Sequence, residues 1–420
     1  MSRSEPVLTF PKRFFWGAAT SGHQVEGKNR DQWTIWELEN APTLAQQARY
    51  GLNTLPDWDE IEEQATNPRN YISGKGVDHY NRYEEDFDIL AKLNMNAFRF
   101  SIEWSRIEPR EGEWDPLAVE HYRLYIHALK RRNIEPFVTL WHWTMPEWFV
   151  QKGGFEKRAN VKYFVRFATK ILDELGEEFR YVTTINEPEV YSALGYSTGE
   201  WPPQKESKLL TLKVYLNLGY AHRKVYKAAK TINRKFIVGL STNIAHNYAG
   251  DNAIVSKITA RLVKWSTSRF FLNRVHRHLD FIGLNYYFSN RYYGYRVHNP
   301  NERISDLGWD MQPQDVEHVL VDLWYRYRKP IIITESGVAD RKDQYRKWWI
   351  AETVGAMHRA MKQGVNLDGY IHWSLLDNFE WAYGFWPRFG LVAVDYKTGE
   401  RTVRQSAILY GRLIKRVRKL

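Results

Sequence analysis

The chain has 420 residues, 43% of them hydrophobic, and a formal net charge of +11. That apolar content supports a large core and excludes a disordered polymer. With no cysteine, disulfides, thiolate metal sites and a cysteine nucleophile are excluded.

The first strand-like run is FFWGAAT from Phe14. The least regular stretch follows, Glu39 to Gly76, and reads as a long loop. NRYEEDFDILAKLN then sets Tyr83, Phe87, Leu90 and Leu93 on one helical face, with acids opposite. AFRFSI from Ala97 and PFVTLWH from Pro136 are further strands, followed by the amphipathic segments PLAVEHYRLYIHALKRRN and VKYFVRFATKILDELGEEF. YVTTINE from Tyr181, FIVGLSTN from Phe236, FIGLNYY from Phe281, PIIITES from Pro330 and GYIHWS from Gly369 complete a set of eight. After a longer first gap they recur every forty to fifty-five residues or so.

Two segments carry the charge. Val255 to His278 holds six Lys and Arg, Arg401 to Leu420 holds seven, and neither contains an acid. Both are amphipathic at helical spacing and read as solvated helix faces, with weak contact to an anionic surface as the alternative. The opening residues lack an apolar run of signal-peptide length, and no window approaches a membrane span. A cytoplasmic protein is expected.

Continuous apolar strands alternating with amphipathic helices predict a parallel sheet covered by helices. Eight such units predict an α/β fold, a single (β/α)8 TIM barrel over residues 1–420, with long βα loops forming the active-site face. A doubly wound sheet is the rival. It would normally carry a Gly-rich phosphate loop after the first strand, and FFWGAATSGHQVEG has none.

Barrel active sites are built at the C-terminal ends of the strands. Those ends carry Gln24 and Glu26; Arg99, Glu103 and Trp104; His142 and Trp143; Asn186 and Glu187; Asn243; Asn285, Tyr286 and Tyr287; Glu335; and Trp373. So many polar and aromatic groups at one mouth are costly unless used or paired. Tyr286 is expected to point away if Tyr287 points in, because neighbours alternate along a strand. Trp16, Trp36 and Trp104 are assigned to packing. His276 and His278 read as surface residues, and no metal set or cofactor motif is apparent. Two carboxylates on opposite strands, Glu187 and Glu335, with no nucleophilic serine elbow, suggest glycoside hydrolysis. In YVTTINEPEV the strand would aim Glu187 into the mouth, and Pro188 would turn the chain away.

Across nearly its whole length the chain resembles glycoside hydrolase family 1, the β-glucosidase and β-galactosidase family. The resemblance rests on FPKRFFWGAATSGHQVEG, FRFSIEWSRIEP, TLWHW, TINEP, DFIGLNYY, ITESG and WSLLDNFEWAYGF, in that order. It implies Glu187 as acid/base and Glu335 as nucleophile, with Arg99 and Tyr287 hydrogen-bonded to the latter. It also implies Asn186 at the sugar 2-hydroxyl, and Gln24, His142, Glu380 and Trp381 at the other hydroxyls. Trp373 would form the platform under the ring, with Trp143 and Asn243 completing the wall. The implied partner is a small β-glycoside or oligosaccharide. Departures are Ser336 where Asn is commoner, Thr144 where Asp is frequent, and a shortened stretch between Asn243 and Asp280, expected to leave a more open entrance. A 6-phospho-β-glycosidase would want a small residue at Glu380 and a cationic pocket. A non-catalytic sugar-binding barrel would have lost one of the two glutamates. Nucleic-acid binding has no supporting motif.

Overall fold

The structure, a computed structural model, describes residues 8–418. Eight parallel strands close into a barrel: β1 (Phe15–Ala19), β2 (Ala97–Ser101), β3 (Glu135–Thr139), β4 (Tyr181–Asn186), β5 (Ile237–Asn243), β6 (Phe281–Tyr286), β7 (Ile331–Ser336) and β8 (Leu367–Trp373). Every strand pairs with its sequence neighbour, and β1 pairs with β8 to close the ring. The eight expected strands are therefore the eight observed. The helices between them include α1 (His79–Lys92), α2 (Pro116–Arg131), α3 (Val161–Leu175), α4 (Lys208–Ile232), α5 (Ile254–Lys264), α6 (Val316–Tyr327) and α7 (Arg346–Lys362), with α8 (Gln405–Val417) after β8.

Alternation along each strand sorts side chains between two cores. On β2, Phe98 and Phe100 point outward onto the helices, against Phe87 of α1 and Tyr125 of α2, with ring centroids 5.4 and 4.6 Å apart. Ala97 and Arg99 between them point inward. The floor of the barrel is an aromatic plug: Phe137 lies 5.1 Å from Phe15 and 4.4 Å from Tyr181. Above it the interior turns polar.

Two expectations need correction. Glu39–Gly76 is not irregular: a helix spans Gln32–Gly51 and another Trp58–Ala65. The first is N-capped by the Asp31 carboxylate and buries Trp33, Trp36, Glu37, Ala41, Ala45 and Ala48. Pro42 inside it and the polar residues between those positions hid the helical period. The basic tail opens as a strand, Arg401–Val403, pairing antiparallel with Val392–Val394 before α8 begins. A small sheet of His246–Ala249, Ser289–Tyr293 and Arg296–Val297, which the sequence reading did not include, also stands beside the mouth. Among the described residues, no helix is long and apolar enough to cross a membrane.

Candidate active site

Strand register sets the layer at which the polar groups meet. Ala19 of β1 lies opposite Arg99 of β2 and Trp373 of β8, while Asn285 of β6 lies opposite Asn243 of β5 and Glu335 of β7. The ladder shifts register between Thr183 and Asn186, and again between Ile333 and Glu335. Such irregularities re-aim side chains, and here each falls beside a carboxylate of the mouth. Gly337 lets the end of β7 approach β8: a Cβ there would lie 1.7 Å from the Trp373 carbonyl oxygen.

Glu335 is held by two donors. Arg99, fully buried, forms an ion pair with its Oε1 and donates through Nη2 to Asn186 Oδ1 at 2.7 Å. The Tyr287 hydroxyl donates to Oε2 at 2.6 Å. Burial and the nearby carboxylates raise the Tyr287 pKa well above its ordinary value, so it stays a phenol donor. Tyr286 does turn away, donating to the Gln312 carbonyl at 2.6 Å.

Glu187 sits in a different environment. Its Oε1 accepts from two neutral amides, Asn285 Nδ2 at 2.7 Å and Asn243 Nδ2 at 3.2 Å. Burial raises its pKa well above the ordinary carboxyl value, and the charges of Glu335 and Glu189 add to this. The Asn285 amide and Arg99 oppose it. Its backbone N–H still bonds Ser241 O at 2.9 Å, but its φ is +41°, a left-handed conformation unusual for a non-glycine residue. Pro188 does not simply turn the chain away. It is the first residue of a helix, Pro188–Tyr196, for which Glu187 is the cap; proline suits that position because its missing N–H would be unpaired there. Trp143 (φ +74°) and Trp381 (φ +51°) are held in the same left-handed region. Three such residues around one cavity are the kind of strain that functional sites retain.

A cavity of about 710 Å³ opens above these groups. Ten of the twelve residues expected at the site line it: Gln24, His142, Trp143, Glu187, Asn243, Tyr287, Glu335, Trp373, Glu380 and Trp381. Arg99 and Asn186 are fully buried behind them and act through contacts. Asn186 Nδ2 lies 3.2 Å from His142 Nε2. Burial, and then the Arg99 charge, lowers the His142 pKa well below its ordinary value, so the ring is neutral at neutral pH. Its ring is nearly parallel to that of Trp373, with centroids 6.0 Å apart. Gln24 donates to Asn378 Oδ1 at 3.0 Å and to the Phe379 carbonyl at 2.8 Å, and it reaches Glu380 Oε2 at 3.3 Å. Burial, and then the charge of Glu335, pushes the Glu380 pKa up to about 8 against the pull of Gln24.

The match to known proteins fits this geometry. The Glycosyl hydrolase family 1 model matches residues 7–278 and 272–419. The chain belongs to that family. Beta-glucosidase A of Acetivibrio thermocellus is 29% identical, over 97% of this chain and 98% of the relative. A beta-glycosidase from Pyrococcus horikoshii superposes with a TM-score of 0.85 at 34% identity, covering 98% of this chain and 96% of the other. A beta-glucosidase from Thermotoga maritima, solved in complex with glucoimidazole, gives 0.85 at 26% identity and 98% and 100% coverage. As a family 1 chain with a closed (β/α)8 barrel, this protein is a glycosidase.

Sequence reasoning left out part of this family 1 site. Asn285, read at the mouth but given no role, makes the shorter amide contact to Glu187. The signal was present, because the alternation that turns Tyr287 inward turns Asn285 inward too. Trp36, assigned to packing, packs on Trp33 at 5.0 Å and also lines the cavity. Trp201 packs at a tilt against Trp143, with ring centroids 4.7 Å apart, from a loop without periodicity. Glu189 binds the Asn243 backbone N–H and the Thr242 hydroxyl, and burial raises its pKa to about 8. The departures from the family pattern are accommodated locally. Ser336 Oγ accepts from Trp349 Nε1 at 3.1 Å, and Thr144 donates to Glu103 at 2.7 Å. Among the described residues no group of His, Asp and Glu is arranged to hold a metal.

Proposed function

We propose that this glycosidase is a retaining exo-acting enzyme on unphosphorylated β-D-glycosides, glucosides first and galactosides and fucosides with them. The whole chain would act as one catalytic unit. The observation that carries this reading is the contrast between the two carboxyls. Glu335 is bound to a cation and a phenol, whereas Glu187 is bound only by amides and has a raised pKa. One is suited to attack as a carboxylate and the other to give a proton.

In the first step a Glu335 oxygen attacks the anomeric carbon. The glycosidic bond breaks, and its oxygen takes the Glu187 proton, releasing the aglycone as an alcohol. The glycosyl ester removes the Glu335 charge, the second cause of the raised Glu187 pKa. Glu187 is then a carboxylate able to take a proton from water. That water attacks the anomeric carbon, and Glu335 leaves as the carboxylate, so the β configuration is kept. Asn186 would meet the sugar 2-hydroxyl. Gln24, His142, Glu380 and Trp381 would hold the other hydroxyls, over Trp373 as platform, with Trp143 and Asn243 as wall. Among the described residues no Lys or Arg lines the cavity, which favours a neutral sugar over a phosphorylated one.

The test is a panel of nitrophenyl β-D-glycosides (glucoside, galactoside, fucoside and 6-phosphoglucoside), with the product anomer followed by proton NMR. Release from the unphosphorylated members with the β anomer formed first is expected. An α product would overturn retention, and preference for the phosphorylated member would overturn the substrate class.

A further inference from the structure

Between Ser207 and Leu279 the chain carries fourteen Lys and Arg and a single acid, Asp251. This stretch also presents unusual apolar exposure. On α5, Ile254 is 75% exposed, Leu262 60%, Ile258 52% and Trp265, just past its end, 46%. At 100° per residue these four fall within one narrow arc of the helix, with Lys257, Lys264 and Arg261 along one edge. The opposite face, Ser256 and Ala260, is buried, and Ser256 Oγ accepts from the Gly294 backbone N–H at 2.8 Å. The helix is therefore docked, and its apolar stripe faces outward.

A second stripe adjoins it. Leu209, Leu212 and Leu216 on the first turns of α4 are 82%, 45% and 40% exposed. Ring contacts join the two: Tyr215 of α4 stacks on Phe270, which lies 5.3 Å from Trp265. The patch stands beside the mouth. α4 begins four residues after Gln204, which lines the cavity, and α5 lies on the small sheet that follows the lining residues Asn243 and Phe288. Of the charges on α5 and just after it, Lys264 and Arg269 are paired with Asp322 of α6. Lys257 and Arg261 have no ion-pair partner among the described residues.

We propose that this face docks on an anionic lipid surface, with the apolar stripes entering the headgroup boundary and Lys257 and Arg261 meeting lipid phosphates. A patch this apolar on a water-facing helix calls for a partner. An apolar arc bordered by Lys and Arg is the pattern of interfacial helices, which combine apolar burial with attraction to anionic lipid. A second copy of the chain fits less well, because a two-fold contact would set these unpaired cations against their own counterparts.

The experiment is co-sedimentation of the full chain with vesicles of phosphatidylglycerol and phosphatidylcholine in equal parts, and of phosphatidylcholine alone. Binding is expected to be about tenfold or more stronger to the anionic vesicles and to fall as salt is raised. Ile258→Asp with Leu262→Asp removes it, and Lys257→Glu with Arg261→Glu weakens it, both with unchanged circular dichroism. Because binding is read without turnover, the result is independent of the substrate assignment. No sedimentation with anionic vesicles overturns the proposal, as does wild-type binding by the apolar double variant. A dimer in light scattering that the same double variant dissociates also overturns it, and gives the face to a second copy.

Discussion

Two clusters of buried ionisable groups lie near the C-terminal end of the barrel, and they differ in what surrounds them. In one, His23 sits between Asp31 and Glu37 at 2.9 and 2.6 Å, with both carboxylates nearly or fully buried. Glu37 also accepts from Ser73 N and Oγ at 2.8 and 2.7 Å, and Asp31 accepts from Thr34 N at 3.1 Å. Nearby, Glu103 accepts from His23 N and Thr144 Oγ1, and burial raises its pKa to about 7. In the other cluster, Glu187 and Glu380, whose pKa values burial raises, face a cavity together with Glu335. Raised carboxyl pKa values are therefore common to both clusters. What separates a site from a structural network here is open space in front of groups whose protein partners leave hydrogen-bonding capacity unused.

This comparison can be broken by substitution, and the largest effect is expected at Glu335. Glu335→Gln should fall below about a hundredth of wild-type turnover, because the covalent step is lost; a rate above that level removes the nucleophile assignment. Glu187→Gln should cost about 10²–10⁴-fold on substrates with poor leaving groups. It should also abolish the basic limb of the pH profile, which reports loss of the Glu187 proton. Stopped assays with substrates of graded leaving-group pKa check both effects.

The structural cluster should respond in stability instead. His23→Leu leaves Asp31 and Glu37 without their partner, and about 3–5 kcal/mol should be lost in urea unfolding. The His23 pKa is raised well above its ordinary 6.5 by Asp31 and Glu37, although burial, the largest single effect, acts the other way. The native state therefore holds this proton more tightly than the unfolded chain does. Its contribution is fully present below pH 6.5 or so and is lost as pH rises through the folded value. Unfolding curves from pH 6 upward should show that decline in wild type and lack it in the variant. The smallest effect is expected at Asn285→Ala, about tenfold in kcat/KM, the size of one lost hydrogen bond. Because the Asn285 amide lowers the Glu187 pKa, the basic limb should move to higher pH; an unmoved limb would show that the amide does not act on Glu187.

The strands were legible because each is a short apolar run bounded by loops and helices, and period-2 alternation then determined which side chains face inward. That rule turned Tyr286 away from Tyr287, and it also contained Asn285. The Gln32–Gly51 helix was less legible, since Pro42 and scattered polar residues blur its period. The two- and three-residue strands Arg296–Val297, Val392–Val394 and Arg401–Val403 carry too few residues to show one. Trp201 and the second role of Trp36 come from segments whose position depends on distant neighbours.

The sequence by itself determined the barrel, the strand ends and the two carboxylates, because local alternation and spacing encode which residues reach the mouth. The family resemblance implied Arg99 and Tyr287 at Glu335, but only the tertiary structure brought the amides of Asn285 and Asn243 to Glu187. Glu335 meets Arg99, which is 236 residues away, and Glu187 meets Asn285, 98 residues away. Which carboxyl receives a cation and which receives amides depends on strand register across a closed ring, and no local pattern carries that information. The exposed stripe on α5 follows the same logic. Its amphipathicity is local, but which face is buried was settled by the sheet it packs against.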